Sequence, residues 1–372
     1  MFKNFMEVKF VKNMYERNEL YKVKIDLLCY GITISKSCYD SLEKGINGNV
    51  NHNDYITTKG LFLVLDEQAY VNANLNKNSR YELDFVDNKY VLFKEKVKIC
   101  KVDVIQSPSY ALQNKKLDNG ILISDLVNLH GDRLRIQPIM GCANRCKFCD
   151  LNCYKYHLNS IENLDSAVKL VQKESKFRHI LISGGAPFDT QKDYDYLNSV
   201  YKYFGENYGE EYPIDIMMVP RGLYVNDDSD ASYEEFLLKL KEWNISSMAI
   251  NLELYNDKLR EKLIPQKNFI GKERYINFIK LAVKIFGKGN VRSCIIIGLE
   301  KLEDSLNAVE LLSSVGCMPV LSPYVPMDEK DKVPTSEFME EVLIKASEIA
   351  KKYNVELGPK CDFCKHNTIH FK

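Results

Sequence analysis

The chain has no long hydrophobic run. Its start, Met1 to Leu20, mixes Lys, Glu and Asn with short apolar pairs and lacks the continuous apolar core of a secretion signal. Nowhere does a stretch approach the roughly 20 apolar residues that span a bilayer, so no membrane partner is expected. Net charge is also missing: 51 basic residues balance 51 acidic ones, and nothing in that balance advertises nucleic acid as a partner. A soluble, cytoplasmic protein is the expectation, in a compartment where thiols stay reduced. Against that background the cysteines stand out. There are 11 in 372 residues, an odd count that closes no disulfide set and points to metal or redox work. The remaining composition, 45% hydrophobic and 27% charged, is ordinary for a globular protein. The length allows one large core with an accessory unit, or two modest domains.

Three of the cysteines lie in Cys142-Ala-Asn-Arg-Cys146-Lys-Phe-Cys149, a C-x3-C-x2-C run with an aromatic residue before the last sulfur. Thiolates bind soft metals, and iron–sulfur clusters are held by cysteine. Three sulfurs from one loop can take three corners of a [4Fe–4S] cube and leave the fourth iron open to a small molecule. The competing reading is half a zinc site. Zinc ligands, however, come mostly as C-x2-4-C pairs with a distant second pair, a scheme this triplet fits poorly. In these eight residues the chain resembles the radical S-adenosylmethionine (SAM) superfamily, whose signature is this spacing with an aromatic at the position of Phe148. The resemblance implies that Cys142, Cys146 and Cys149 hold the cluster. It also implies SAM on the open iron, cleaved reductively to methionine and a 5′-deoxyadenosyl radical that takes hydrogen from an unreactive C–H bond. Oxygen sensitivity and an electron donor such as flavodoxin or ferredoxin follow from the same resemblance.

Residues 1–105 read as a β-rich accessory domain of unknown role. Lys22–Tyr30 alternates partly, as a half-buried strand does, and Leu61–Leu65, Arg80–Phe85, Lys89–Phe93 and Val97–Val104 read as further strands. Asp87-Asn88 suits a tight turn between the Arg80 and Lys89 strands, and Gly45 to Asp54 reads as a loop. Cys38 and His52 stand alone and carry no motif. Residues 106–132 form a connector with a short helix expected around Ile123 to Leu129.

From residue 133 strands and helices alternate. Leu134–Ile139, His179–Ser183, Ile214–Val219, Ser247–Leu254, Val291–Ile297 and Pro319–Val325 are mostly continuous and apolar, as strands covered on both faces should be. Leu164, Ala167, Val168 and Val171 make one helical stripe. A second runs from Met339 through Val342, Leu343, Ala346, Ile349 and Ala350 after a Thr335 cap. Six β/α units in series predict an α/β fold: an open (β/α)6 partial TIM barrel over residues 133–326, since six are too few to close an eight-stranded one. A C-terminal helix and a cysteine-containing tail fill 327–372. The partial barrel is also what the resemblance implies.

In such sheets ligands bind at the C-terminal ends of the strands, and Cys142 follows the first strand at the right place. The second strand ends Ser183-Gly184-Gly185-Ala186, where paired glycines let backbone approach a ligand. The resemblance assigns that turn to the amino group of SAM, with Ala186 standing where an acid is common. Asn251 and Glu253 end the fourth strand on one face and suit the ribose hydroxyls, as a similar pair does in the biotin-synthase-like branch. Lys272 or Arg274 is the expected partner of the SAM carboxylate, and Gly298 is expected beside the adenine, with Glu300 one residue early for the usual spacing. Arg221 offers a bidentate fork for a substrate carboxylate or phosphate, or is a surface residue. Tyr324 could edge adenine or substrate.

The tail carries Cys361-Asp-Phe-Cys364-Lys-His366, with His370 beyond. This is a zinc half-site or half of an auxiliary iron–sulfur cluster, completed by residues such as Cys153, Cys294 or Cys317, unless the tail is a lid over the barrel mouth. The sequence thus favours a radical SAM enzyme acting on a small molecule. A peptide-modifying enzyme whose N-terminal domain presents the peptide is the alternative, and a non-catalytic zinc scaffold is the reading from another class.

Overall fold

The computed structural model describes residues 19–48, 50, 52–53, 59–326 and 332–371. The parallel strands expected from residue 133 onward are present. They are β1 (Arg133–Ile136), β2 (His179–Ile182), β3 (Ile214–Met218), β4 (Ile245–Ile250), β5 (Val291–Ile297) and β6 (Met318–Pro323), and they lie side by side in chain order. Ile180 pairs with Leu134 and Ile214, and Ile295 with Leu321, all in parallel register. A hairpin through Gly131 adds one antiparallel strand, Val127–His130, outside β1.

Each crossover carries a helix against the outer face: α1 (Ile161–Glu174), α2 (Gln191–Tyr208), α3 (Asp230–Glu242), α4 (Lys272–Phe286), α5 (Leu302–Ser314) and, after β6, α6 (Ser336–Lys352). Local chemistry sets where several begin. The side chains of Ser160, Thr190, Ser229 and Thr335 each accept a hydrogen bond from the backbone N–H three residues on, satisfying a donor the first helical turn leaves over. Leu164, Ala167, Val168 and Val171 of α1 are fully buried, as are Met339, Val342, Leu343 and Ala346 of α6. The open (β/α)6 partial barrel is the fold.

The strands are not uniformly apolar, and this corrects the sequence reading. Arg133, Arg135 and Gln137 alternate with Leu134 and Ile136 along and just past β1, and Arg292, Cys294 and Ile296 alternate with residues of the outer face on β5. One face meets the helices while the other faces a chamber inside the barrel.

Before the barrel lies a second sheet built mainly of Lys59–Leu65, Ala69–Ala73, Tyr81–Val86, Lys89–Lys94 and Val97–Ile105. Asp87 and Asn88 turn its hairpin with φ of +51° and +59°, the geometry a two-residue turn demands. The Ala69–Ala73 strand was missed in the sequence. Lys22–Tyr30 is not a strand but part of a helix, Glu19–Tyr30, packed between this sheet and α6. Because it is covered on nearly all sides, with Tyr21, Ile25 and Leu27 each at most 1% exposed, it shows no single apolar stripe. The expected Ile123–Leu129 helix ends at Leu126, and Val127–His130 continues as the extra strand. Within the expected 45–54 loop lie a short 3-10 turn, Ile46–Gly48, and a two-residue strand, His52–Asn53; Asn49, Asn51 and Asp54 lie outside the described residues. Cys38 is a core residue. Among the described residues no helix is long and apolar enough to cross a membrane.

Candidate functional site

Two loops make the mouth of the barrel. The cysteine loop lies between the paired short strands Ile139–Met140 and His157–Leu158, and the glycine turn follows β2. Cys142 Sγ accepts the Ala186 N–H at 3.1 Å, and Ala143 N–H donates to the Ala186 carbonyl at 3.1 Å. The third residue of the turn therefore acts through its backbone, which is why alanine can stand there. A side chain on Gly185 would overlap the Gly141 carbonyl, so the loops approach this closely only with glycine. Asn152 shapes the cysteine loop from within: its Nδ2 donates to the carbonyls of Cys146 at 3.2 Å and Cys149 at 2.9 Å. Lys147 N–H donates to the Leu263 carbonyl at 2.9 Å and ties the loop to the chain after β4.

Behind this mouth runs a cavity of about 870 Å³ through the barrel. Cys142, Cys146, Phe148, Cys149, Ser183, Gly184, Gly185, Ala186, Asn251, Glu253 and Tyr324 all line it, so most of the expected site is brought together. Burial pushes the Cys146 thiol up to about 12 and the Cys149 thiol up to about 11; a metal bound there displaces protons.

The fourth strand ends differently from expectation. After Ile250 the chain carries Glu253 at φ +65°, clamped to β5 by its N–H to the Cys294 carbonyl at 2.8 Å and by the Ile296 N–H to its own carbonyl at 2.9 Å. Asn251 Oδ1 accepts the Cys294 N–H at 3.1 Å. One Glu253 oxygen takes Lys267 at 2.6 Å, and the other is buried with no partner among the described residues. Ser183 Oγ is likewise buried and unpartnered.

Several expected residues are placed elsewhere or are already engaged by protein. Two short helices, Asp257–Leu263 and Pro265–Ile270, intervene before α4, and they carry Lys272 and Arg274 away from the cavity wall. Lys272 donates to the Tyr255 carbonyl and Asp257, and Arg274 pairs with Asp228. Lys267 is the cation beside the cysteine loop instead. Gly298 sits against Pro334 and not on the cavity wall. Glu300 accepts the N–H groups of Tyr255 and Asn256 at the start of a helix. Arg221 reaches the wall but is 1% exposed, held between the rings of Tyr194 and Phe236 and donating to Asn198 at 2.7 Å. Its fork is occupied by protein.

Sequence reasoning missed the inner wall. Asp215 accepts both Arg292, in a two-pronged pair, and Ser247 at 3.0 Å, and Arg135 donates to Gln137 at 3.2 Å. The readable signal was the polar residue at every second place in Arg133-Leu-Arg-Ile-Gln137 and Val291-Arg-Ser-Cys294.

The residues at the mouth fit a [4Fe–4S] cluster with SAM beside it. Cys142, Cys146 and Cys149 bring three sulfurs from one loop to the cavity wall, and three thiolates suit three irons of such a cluster. Next to them lie a turn with no Cβ and two buried, unpartnered oxygens.

Residues 136–312 match the family model described as the radical SAM superfamily. A Lachnospira eligens protein named as a dual-specificity RNA methyltransferase, RlmN, is 22% identical over 266 residues, covering 70% of this chain and 72% of its own. A Methanocaldococcus jannaschii protein named for glycyl-radical enzyme activation is 25% identical over 231 residues, 61% of this chain and 80% of its own. The crystal structure of a radical SAM methyltransferase from Sphaerobacter thermophilus superposes with a TM-score of 0.48 at 15% identity, over 66% of this chain and 74% of that one. Residues 136–312 are thus a radical SAM domain, and enzymes built on such domains work with a [4Fe–4S] cluster and SAM.

Proposed function

We propose that Cys142, Cys146 and Cys149 hold the cluster and that the chain abstracts hydrogen from a small molecule bound inside the barrel. The observation that carries this reading is the chamber itself. At about 870 Å³ it falls within the range of small-ligand pockets, and its far end is closed by the chain's own tail. Bound together, the cluster and SAM supply one-electron reductive cleavage of a carbon–sulfur bond, and with it the removal of a hydrogen atom from the substrate.

The chain's own groups do the positioning. The Ser183–Ala186 turn receives the amino group of SAM, and the unpartnered Glu253 oxygen, with Asn251, receives the ribose hydroxyls. Phe148 and Tyr324, both on the cavity wall, would border the cofactor and the substrate. Lys267 orients Glu253. The Asp215–Arg292 pair and Arg135 offer a polar, charge-bearing floor to the substrate, which favours a small molecule with ionic groups of its own. An electron donor of the flavodoxin or ferredoxin kind and a cytoplasmic setting complete the proposal.

The described residues of the N-terminal unit support this reading over peptide modification. Its Leu28, Asn72 and Asn74 line the end of the cavity shared with the tail residues, not the mouth. That position suits a back wall better than a peptide-presenting surface.

The test is anaerobic reconstitution followed by reduction in the presence of SAM. The intact chain is expected to form 5′-deoxyadenosine. Single Ala variants of Cys142, Cys146 and Cys149 are expected to form none, and an active single variant overturns the assignment. Deuterium transfer into deoxyadenosine from a labelled small-metabolite extract, but not from labelled peptides, identifies the substrate class.

A further inference from the structure

At the other end of the barrel, the last residues of the chain run beneath the starts of β1 and β2. His179, the first residue of β2, has its Nε2 at 3.4 Å from Cys364 Sγ. One ligand atom each from His179, Cys361 and Cys364 lies within 4.8 Å of the others, the one such trio among the described residues. The Cys361 thiol donates to Asp132 Oδ1 at 3.4 Å, and Arg178 pairs with the other oxygen of that carboxylate. Arg133 Nη1 stands 3.6 Å from Cys364 Sγ. None of Cys153, Cys294 and Cys317 joins this group, and the tail closes the floor and not the mouth. His366 is also turned away, with Nδ1 at 2.6 Å from the Phe363 carbonyl and its ring against His130.

Spacing and ligand type choose the metal. Two metal–sulfur bonds of about 2.3 Å at a tetrahedral angle set the sulfurs about 3.8 Å apart, which fits this tight trio and not a multi-iron cube. Two thiolates with an imidazole make the mixed sulfur and nitrogen set that zinc takes readily. Two thiolates balance the charge of a divalent ion, and the neighbouring Asp132 carboxylate is itself paired with Arg178. The frame is fixed as well. Gly131 sits at φ +59°, where any added Cβ would run into the ring of Phe363. Lys24, from the N-terminal helix, donates to the carbonyls of Lys365 at 2.9 Å and His370 at 2.6 Å.

We propose that His179, Cys361 and Cys364 bind a single zinc ion, and that the ion pins the tail across the floor of the chamber. Pro359, Lys360, Asn367 and Thr368 of that tail line the cavity's far end, so the ion sets the depth available to substrate. The site uses none of the residues assigned to the cluster or SAM, and it stands or falls without them.

The test is metal analysis of the full chain purified without added metal, paired with cobalt substitution. Zinc near one per chain is expected, and also in the Cys142→Ala/Cys146→Ala/Cys149→Ala variant. Cobalt in its place is expected to show thiolate charge-transfer absorption and the bands of a tetrahedral ion. Cys361→Ser/Cys364→Ser should lose the metal, and His179→Asn should weaken zinc binding by at least about tenfold. Iron and sulfide taken up by the variant lacking the first three cysteines would mean an auxiliary cluster and overturn the proposal. So would zinc retained in folded Cys361→Ser/Cys364→Ser protein. If that double variant does not fold, the cobalt spectrum of the intact chain decides: absence of thiolate charge transfer overturns it.

Discussion

Lys267 Nζ meets Glu253 Oε1 at 2.6 Å, with about one-tenth of each side chain exposed. The pair joins the end of β4 to the short helix Pro265–Ile270, directly under the cysteine loop. Removing one member of a buried pair strands the other charge, at a cost of about 3–5 kcal/mol. Glu253→Gln and Lys267→Met are each expected to lose stability on that scale in chemical denaturation. The double variant is expected to lose less than the sum of the two. Strictly additive losses would show that the two charges do not depend on each other.

Gly185→Ala tests the closeness of the two mouth loops. The added carbon meets the Gly141 carbonyl, pushes the glycine turn away and removes the 3.1 Å hydrogen bond from Ala186 to Cys142. The expected result is a folded protein, by circular dichroism, that retains well under half of the parental iron and sulfide after reconstitution. Parental iron content in this variant would make the close approach irrelevant to cluster retention.

Arg221 separates packing from substrate contact. Its guanidinium lies 4.6 Å from the Tyr194 ring centre and 4.4 Å from that of Phe236, and desolvated contacts of this kind are worth about 2 kcal/mol or more. Arg221→Ala should therefore lower the denaturation midpoint while leaving substrate-free SAM cleavage per folded molecule near parental. A raised substrate KM at unchanged stability would return Arg221 to the role the sequence first suggested.

Asp26 gives a pH signature. Burial works to raise its pKa, but the Tyr81 hydroxyl at 2.7 Å, with Ser336, Arg80 and Lys94, outweighs burial and holds the carboxyl below its ordinary value. A carboxylate held low stabilises the fold above its unfolded pKa of about 3.9, and that contribution disappears as pH falls through the lower folded value. Asp26→Asn should be less stable than the parent at neutral pH, with the gap in Tm closing as pH drops below about 4. A gap of constant size across that range would rule out the charge as its source.

Much of this could be read in advance, for definable reasons. The parallel strands, the α1 and α6 stripes and the cysteine loop are local patterns, fixed by spacing within a few residues. What escaped depended on distant partners. The Glu19–Tyr30 helix is covered on two sides by elements far along the chain, so its apolar residues follow no single helical face. His179 stands 185 residues before Cys364, and no spacing rule reaches that far. Lys272 and Arg274 were misplaced because two short helices, not evident from periodicity, rotate the start of α4 outward. The inner wall was overlooked because charged residues in β1 and β5 are sparse among apolar ones, and only the curl of the sheet gathers them.

The grip of Lys24 on the carbonyls of Lys365 and His370 spans 341 and 346 positions of sequence. The helix that holds the tail is therefore synthesised long before the tail it holds. Until residues 359–370 have been made, the cavity lacks the residues that line its far end, and the amine of Lys24 lacks both of these acceptors.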